Sequence, residues 1–406
     1  MSKKLIEYIK NNWEATLRYH PEDEDTLIGL PKPYTVPSIR NKFQELYYWD
    51  TYFTNVGLIL SGRVEYAKNN IENIAYLIER YGYMLNGNRT YYLNRSQPPF
   101  FSHMVKDVYE VILDKGWLNH MYRIAVKEYE FWQTLRQTNC GLNRYYGFME
   151  KSDVETLVAH VERRLKITCS EEKEERVKMA EAGVTFFESG WDCNSRFGMR
   201  PQEYAWIDLN CLLYGMEKNL SFFASELGIK NDWEDKAEHR KALLNELCWN
   251  EKMGMFADYD YINKTMTDFV SDASFYAMFV KLCTPEQAAS TVKLLEKVEC
   301  EYGIAACEKR DDLMQLQWDY PIGWACLHFI IIQGLRNYGY YKEAERIARK
   351  YCTLVENNYE KTGNVWEKYN VVTGEVASTK EGGLAAMMMG WSAGIYLYAK
   401  ENCGKE

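Results

Sequence analysis

Apolar positions recur at helical spacing along most of the chain. Leu5, Ile6, Ile9, Trp13 and Leu17 fall on one face and predict an amphipathic helix over 3–19. Pro21, Pro31, Pro33 and Pro37 then impose an extended, irregular stretch. Helical spacing returns through Val56, Leu58 and Ile59, over 64–83, and over 102–114 and 117–138. Further helices are predicted over 203–227, 232–248, 271–282 and 285–298. The last ones run through Leu327, Ile330 and Leu335, over 341–357, and from Ala385 past Gly390-Trp391. Residues 250–267 are rich in turn formers and have room for a short hairpin. The charged run 152–182, centred on Glu171-Glu172-Lys173-Glu174-Glu175-Arg176, reads as a solvated helical face with pairs of opposite charge.

This rhythm gives about twelve to fourteen helices and little strand alternation, so the expected class is all-α. Sequential helical hairpins can close into a ring or stack as an open solenoid, and no internal repeat decides between them. A double ring around a central cavity, the (α/α)6 barrel, suits the count.

The 406 residues are not divided by any Pro/Gly/Ser-rich linker, so one domain over 1–406 is expected. A net charge of -9 argues against a nucleic-acid or anionic-membrane partner, either of which would want a basic face. The first residues enter charged amphipathic sequence at once, without the apolar core of a secretory signal, and no run of about 18 apolar residues occurs. A cytoplasmic location is the resulting expectation. The 11 cysteines lack paired CxxC spacing and stand in apolar contexts such as Cys211, Cys283 and Cys352, which fits buried reduced thiols best, with a zinc site or disulfide framework as the lesser alternative.

Aromatic residues change the picture. Trp, Tyr and Phe make up 15% of the chain. Most fill a large core, but several stand beside carboxylates in short clusters, the combination that suits a sugar: rings stack on its faces and carboxylates take its hydroxyls. One cluster is Phe43-Gln44-Glu45-Leu46-Tyr47-Tyr48-Trp49-Asp50-Thr51-Tyr52-Phe53, where Asp50 also has the makings of a helix cap. A second, polar loop runs from Asn86-Gly87-Asn88-Arg89 to Arg95-Ser96-Gln97-Pro98-Pro99. A third, Phe187-Glu188-Ser189-Gly190-Trp191-Asp192-Cys193-Asn194-Ser195-Arg196, sets a carboxylate, an aromatic wall, a permissive glycine and a cation side by side. Asp192 is the first candidate for a catalytic acid. The fourth is Gln317-Trp318-Asp319-Tyr320-Pro321-Ile322-Gly323-Trp324, and the fifth Trp366-Glu367-Lys368-Tyr369.

Taken in order, these clusters resemble the trehalases, glycoside hydrolase family 37. The first and fourth are similar to the two trehalase signatures, and the shared stretches span nearly the whole chain. The resemblance implies an (α/α)6 barrel and hydrolysis of an α-glucoside with inversion at the anomeric carbon. It implies Asp192 as general acid and Glu367 as general base. An inverting hydrolase needs a protonated carboxyl for the leaving oxygen and, about 6.5–9.5 Å away, a carboxylate that activates water on the opposite face. An apolar setting beside Trp191 would supply the raised pKa that the acid requires. The candidates for sugar binding are Phe43, Trp49, Asp50, Asn86, Arg95, Gln97, Gly190, Arg196, Gln317, Trp318 and Glu381. The expected partner is a small carbohydrate, trehalose or another α-glucoside, with no metal or cofactor.

Departures from the family pattern gather on the leaving-group side. Lys42 stands where an arginine usually precedes the first signature, keeping the charge but losing the bidentate fork. A family segment with arginine and glutamate between prolines has no match, and Met149-Glu150-Lys151-Ser152 stands about there. Cys326 and Asn370 replace a proline and an aspartate, and the glycine-rich loop shrinks to Thr373–Gly383. Three readings follow: a trehalase, an inverting hydrolase of another α-glucoside, or a sugar-binding protein without catalysis, the last weakened by the presence of both carboxylates.

Overall fold

The computed structural model describes residues 2–40, 42–165, 167–312, 315–379, 383–387 and 389–404. In chain order its helices are α1 (Ser2–Asn12), α2 (Tyr48–Leu60), α3 (Val64–Tyr81), α4 (Phe101–Ile112) and α5 (Lys115–Leu135). There follow α6 (Val154–Leu165), α7 (Lys173–Ser189), α8 (Ile207–Leu227), α9 (Trp233–Leu247) and α10 (Tyr276–Phe279). The last are α11 (Pro285–Val292), α12 (Leu295–Val298), α13 (Ala325–Asn337), α14 (Tyr341–Thr362) and α15 (Gly390–Glu401).

Their contacts define a ring. α2 packs on α4, α4 on α8, α8 on α10, α10 on α13, α13 on α15, and α15 returns to α2. Outside it, α3 lies on α2 and α4, α5 on α4 and α8, α9 on α8, and α14 on α13 and α15. The side chains explain which helix goes where. α8 buries every residue from Ile207 to Met216, and α13 every residue from Ala325 to Ile332, as a helix covered on all sides must. α14 buries one stripe, including Ala344, Ile347, Tyr351 and Val355, and turns charge outward. The expected (α/α)6 barrel is the architecture.

The ring closes on two glycines. A Cβ added at Gly57 would lie 2.4 Å from the Cα of Gly394, and one at Gly394 would lie 2.3 Å from the carbonyl oxygen of Phe53. α2 and α15, drawn from opposite ends of the chain, therefore meet backbone to backbone.

Short antiparallel pairs, most of two residues a side, connect the helices. The predicted hairpin within 250–267 forms from Tyr259–Asp260 and Thr265–Met266. A three-stranded sheet joins Ile322–Trp324, Lys368–Asn370 and Glu375–Val376, with Gly323 opposite Tyr369 and Trp324 opposite Lys368. That register fixes Glu367 beside the end of the fourth aromatic cluster.

Several predicted helices are cut short. α1 stops at Asn12 because Leu17–Arg18 pairs with Tyr34–Thr35, folding the proline-rich stretch back. Helix over 271–298 breaks into short pieces, and Thr284-Pro285 opens one of them with a capping box. The C-terminal helix starts at Gly390 rather than Ala385, behind a hairpin of Ser378–Thr379 and Gly383–Leu384.

The charged run 152–182 is the larger difference. It forms two helices, α6 and α7, packed on each other, and α7 buries Ala180 and every residue from Ala182 to Ser189. Val154, Val158, Cys169 and Ala180 make one small core, and Val161, Leu165, Cys193 and Leu316 another, both separate from the main one. Cys211, Cys283 and Cys352 are buried thiols, as expected. Among the described residues no helix is long and apolar enough to cross a membrane.

Gly57→Val tests the closing contact. Overpacking a close-packed seam typically costs 1–3 kcal/mol, and a backbone neighbour cannot rotate aside, so a loss of about 3 kcal/mol or more is expected from urea unfolding. An unchanged midpoint would show that α2 and α15 separate without penalty.

Candidate active site

A cavity of about 1240 Å³ gathers the candidate residues. Phe43, Trp49, Asp50, Asn86, Arg95, Gln97, Gly190, Asp192, Gln317, Trp318 and Glu367 all line it, although they come from five separate stretches of sequence. One described candidate does not. Arg196 is buried with its guanidinium against Asp208 (3.1 Å) and Asp258 (2.7 Å), so it fastens the frame beneath the site instead of meeting a ligand. Glu381 lies outside the described residues.

The position of Asp192 is built by the end of α7. The helix stops at Gly190, whose φ of +72° suits glycine, and an added Cβ would stand 2.8 Å from the Trp49 ring. Asp192 itself has φ +21°, a conformation that an L-residue keeps only when its surroundings hold it. They do. Glu188, fully buried, accepts from Arg136 Nη2 (2.7 Å) and Nε (2.8 Å), and from the backbone N–H groups of Ser96 (3.0 Å) and Tyr146 (2.6 Å). On the other side, Trp318 N–H donates to the Cys193 carbonyl at 3.0 Å, and Asp319 accepts from Ser195 N–H at 2.9 Å and Ser195 Oγ at 2.6 Å. Glu188 and Asp319, carboxylates within the aromatic clusters, are thus fasteners outside the cavity lining. Glu45 is another: it pairs with Arg89 Nη2 at 2.7 Å.

Asp192 Oδ2 accepts from Arg164 Nη2 (2.6 Å) and Gln317 Nε2 (3.3 Å). Gln317 Oε1 in turn accepts from Lys368 Nζ at 3.3 Å, and that ammonium lies 3.4 Å from Glu367 Oε2. One amide and one ammonium therefore link the two carboxylates. Glu367 is steadied through its main chain: its N–H donates to the Ala386 carbonyl (2.8 Å), and its own carbonyl accepts from Trp391 Nε1 (3.1 Å).

Asp50 sits in the first turn of α2 and is buried. Burial, then the charge of Glu367 and more weakly that of Asp192, pushes its carboxyl up to about 8. At neutral pH it is mostly protonated and donates as well as accepts.

Below the polar groups lies a bed of indoles. Trp318 stacks on Trp324 with centroids 3.8 Å apart and planes 4° apart, and Trp49 lies 5.5 Å from Trp318. Trp391 meets Trp324 edge-on at 5.6 Å. Trp191 faces away from the cavity, under the Arg196 guanidinium at 4.7 Å, so the apolar wall near Asp192 is made by Phe187, Trp49 and Trp318 instead.

One wall includes Met149 and Glu150, which the sequence set on the leaving-group side, but its α6 residues were not singled out there. Phe148, Met149 and Glu150 line the cavity, followed along α6 by Thr156, Leu157, His160, Arg163 and Arg164. The signal was present as spacing. Positions 153, 156, 157, 160, 163 and 164 share a helical face, and that face is polar and turned inward. Among the described residues no group of three or more His, Cys, Asp or Glu side chains is arranged to hold a metal ion.

The profile of the Trehalase family matches residues 2–404. The chain belongs to the trehalase family. It is a glycoside hydrolase, and two relatives and one solved structure frame it. The periplasmic trehalase of Xanthomonas axonopodis pv. citri is 32% identical over 97% of this chain and 72% of its own length. The periplasmic trehalase of Pseudomonas aeruginosa is 31% identical over 97% of this chain and 75% of its own. The neutral trehalase of Saccharomyces cerevisiae superposes with a TM-score of 0.79 at 29% identity, covering 98% of this chain and 80% of that one. The expectation of a cytoplasmic location is corrected by the first two: these bacterial members of the trehalase family are periplasmic proteins by name.

Asp50 yields a pH-dependent prediction. Its value of about 8 in the folded trehalase-family chain lies above the unfolded value of about 4. The stability it contributes is therefore complete below pH 4 and lost as pH rises through about 8. Asp50→Asn should remove a loss on the order of a few kcal/mol between pH 4 and 8, read as a flatter pH profile of the denaturation midpoint. Parallel profiles for the two proteins would show that Asp50 ionises normally.

Proposed function

We propose that the protein hydrolyses trehalose to two glucose molecules with inversion, Asp192 serving as general acid and Glu367 as general base. The observation that carries this reading is that these two carboxylates, from distant parts of the chain, face one cavity over a bed of tryptophans and are linked through Gln317 and Lys368.

Each residue has a task that its geometry supports. Trp318, buried and set flat on Trp324, gives the cavity an apolar floor for a glucose ring. Gln97 Oε1 accepts the Trp49 N–H at 3.3 Å, which turns its amide donors to the ligand's hydroxyls. Protonated Asp50 adds a donor, and Asn86, whose Nδ2 donates to the Phe187 carbonyl at 3.3 Å, presents its carbonyl oxygen. Asp192 gives a proton to the glycosidic oxygen, and Glu367 takes one from a water attacking the anomeric carbon from the opposite face. The Lys368 ammonium beside Glu367 Oε2 keeps that carboxylate in place.

The same chemistry serves other α-glucosides, and the wall from Met149 to Arg164 is where a different leaving group would be read. Substrate choice is tested with trehalose beside a panel of α-linked glucosides, following the product anomers by NMR before mutarotation. Preference for trehalose, with one α- and one β-glucose released, is the expected result. Two α-glucose molecules would overturn inversion, and preference for another glucoside would reassign the leaving group.

Asp192→Asn and Glu367→Gln should each lower kcat by roughly 100- to 10,000-fold, the usual contribution of a general acid or base, with thermal unfolding little changed. Near-full activity in both variants would sink the assignment.

A further inference from the structure

Away from the cavity, two cysteines meet where the last helix ends. Cys352 lies midway along α14 on its buried stripe, and Cys403 follows the last turn of α15, half-buried. Their Sγ atoms are 3.9 Å apart although 51 positions separate them in sequence. Neither residue lines the cavity.

Polar contacts hold the two helices together at this point. One turn after Cys352, the Glu356 carboxylate accepts from Tyr396 Oη at 2.8 Å and from Lys400 Nζ at 3.1 Å. At the end of α15, Asn402 Nδ2 donates to the Tyr398 carbonyl at 2.8 Å, and the Cys403 N–H donates to the Lys400 carbonyl at 3.3 Å. The distance between the thiols is therefore set by helix packing. Disulfide sulfurs lie about 2.05 Å apart, so an approach of about 2 Å turns this contact into a bond, and side-chain rotation covers such a distance.

The two thiols are unequal. Cys403 is the one that a reagent reaches, and its thiolate is favoured. The sulfur–sulfur hydrogen bond to Cys352, with the charges of Lys400 and Arg349, outweighs burial and the charge of Glu345 and holds Cys403 below the ordinary thiol range. The same hydrogen bond, then burial, pushes Cys352 well up. An accessible thiolate that attacks, beside a thiol that resolves, is the arrangement that thiol–disulfide exchange requires.

We propose that Cys352 and Cys403 are a disulfide-forming pair and that their oxidation fastens the end of α15 to α14. The oxidant is a small disulfide such as oxidised glutathione. The Cys403 thiolate attacks one of its sulfurs, forming a mixed disulfide and releasing one glutathione thiolate. Cys352 loses its proton and attacks Cys403 Sγ, expelling the second glutathione. Two protein thiols are oxidised to one disulfide, and one glutathione disulfide is reduced to two thiols, which carry the two protons. The bond restricts the unfolded chain over the 51-position span, and the helix that it fastens is the one that completes the ring through Gly394.

The test incubates the native protein with oxidised glutathione, alkylates the remaining thiols and maps the peptides without reduction. A linked Cys352–Cys403 peptide is expected, together with a rise in Tm of roughly 2–5 °C that dithiothreitol reverses. Cys352→Ser should stop at the intermediate, keeping glutathione on Cys403 with no gain in Tm. Recovery of both wild-type thiols in alkylated form overturns the pairing, as does a wild-type protein in which glutathione stays on Cys403. A linked peptide with an unchanged Tm overturns the fastening. The wild-type protein, oxidised against reduced, decides both points even if the serine variant fails to fold.

Discussion

A ring of helices gathers distant residues only if its ends meet, and here they meet where two glycines face each other. With any side chain at Gly57 or Gly394, the backbones of α2 and α15 would have to move apart. α2 carries Trp49 and Asp50 into the cavity, and Trp391 in the first turn of α15 binds the carbonyl of Glu367. The seam of the barrel is therefore also the place where the first aromatic cluster is brought against Glu367, the proposed base.

Within that ring, position is enforced by charges removed from water. An exposed ion pair contributes roughly 0–1 kcal/mol, whereas removing one partner from a buried pair costs about 3–5 kcal/mol. The buried pairs are concentrated around the site. Arg136 with Glu188 holds the end of α7 to the end of α5, and Arg196 with Asp208 and Asp258 holds the turn that follows. Asp192, between them, is held on both sides in a backbone conformation it would not otherwise keep.

The architecture was legible because inner and outer helices differ in how much of their circumference is apolar, and that difference is written in periodicity. The cavity was legible because carboxylates beside tryptophans are rare enough to stand out, and most of those chosen do line it. Two kinds of residue escaped. Arg196 was read by proximity in sequence to Asp192, but four residues on, past a turn, its side chain goes down into the frame. Arg164 and His160 were hidden because a search for apolar stripes treats a charged helix as a solvated one, and α6 turns its polar stripe toward the cavity. Helix ends between 271 and 298 failed for a simpler reason: short turns were hidden within continuous apolar spacing.

α6 and the first turns of α7 rest on two small clusters apart from the core that unites the ring, one of which reaches across to Cys193 and Leu316. So divided, the molecule has a chassis, which carries Asp192, Glu367 and the tryptophan bed, and a replaceable cheek on one side of the cavity. Changes in the cheek cost the chassis little, so a lineage can alter what the enzyme accepts without relearning how to fold. The Arg164–Asp192 contact crosses that boundary, and through it a change in the cheek reaches the chemistry directly.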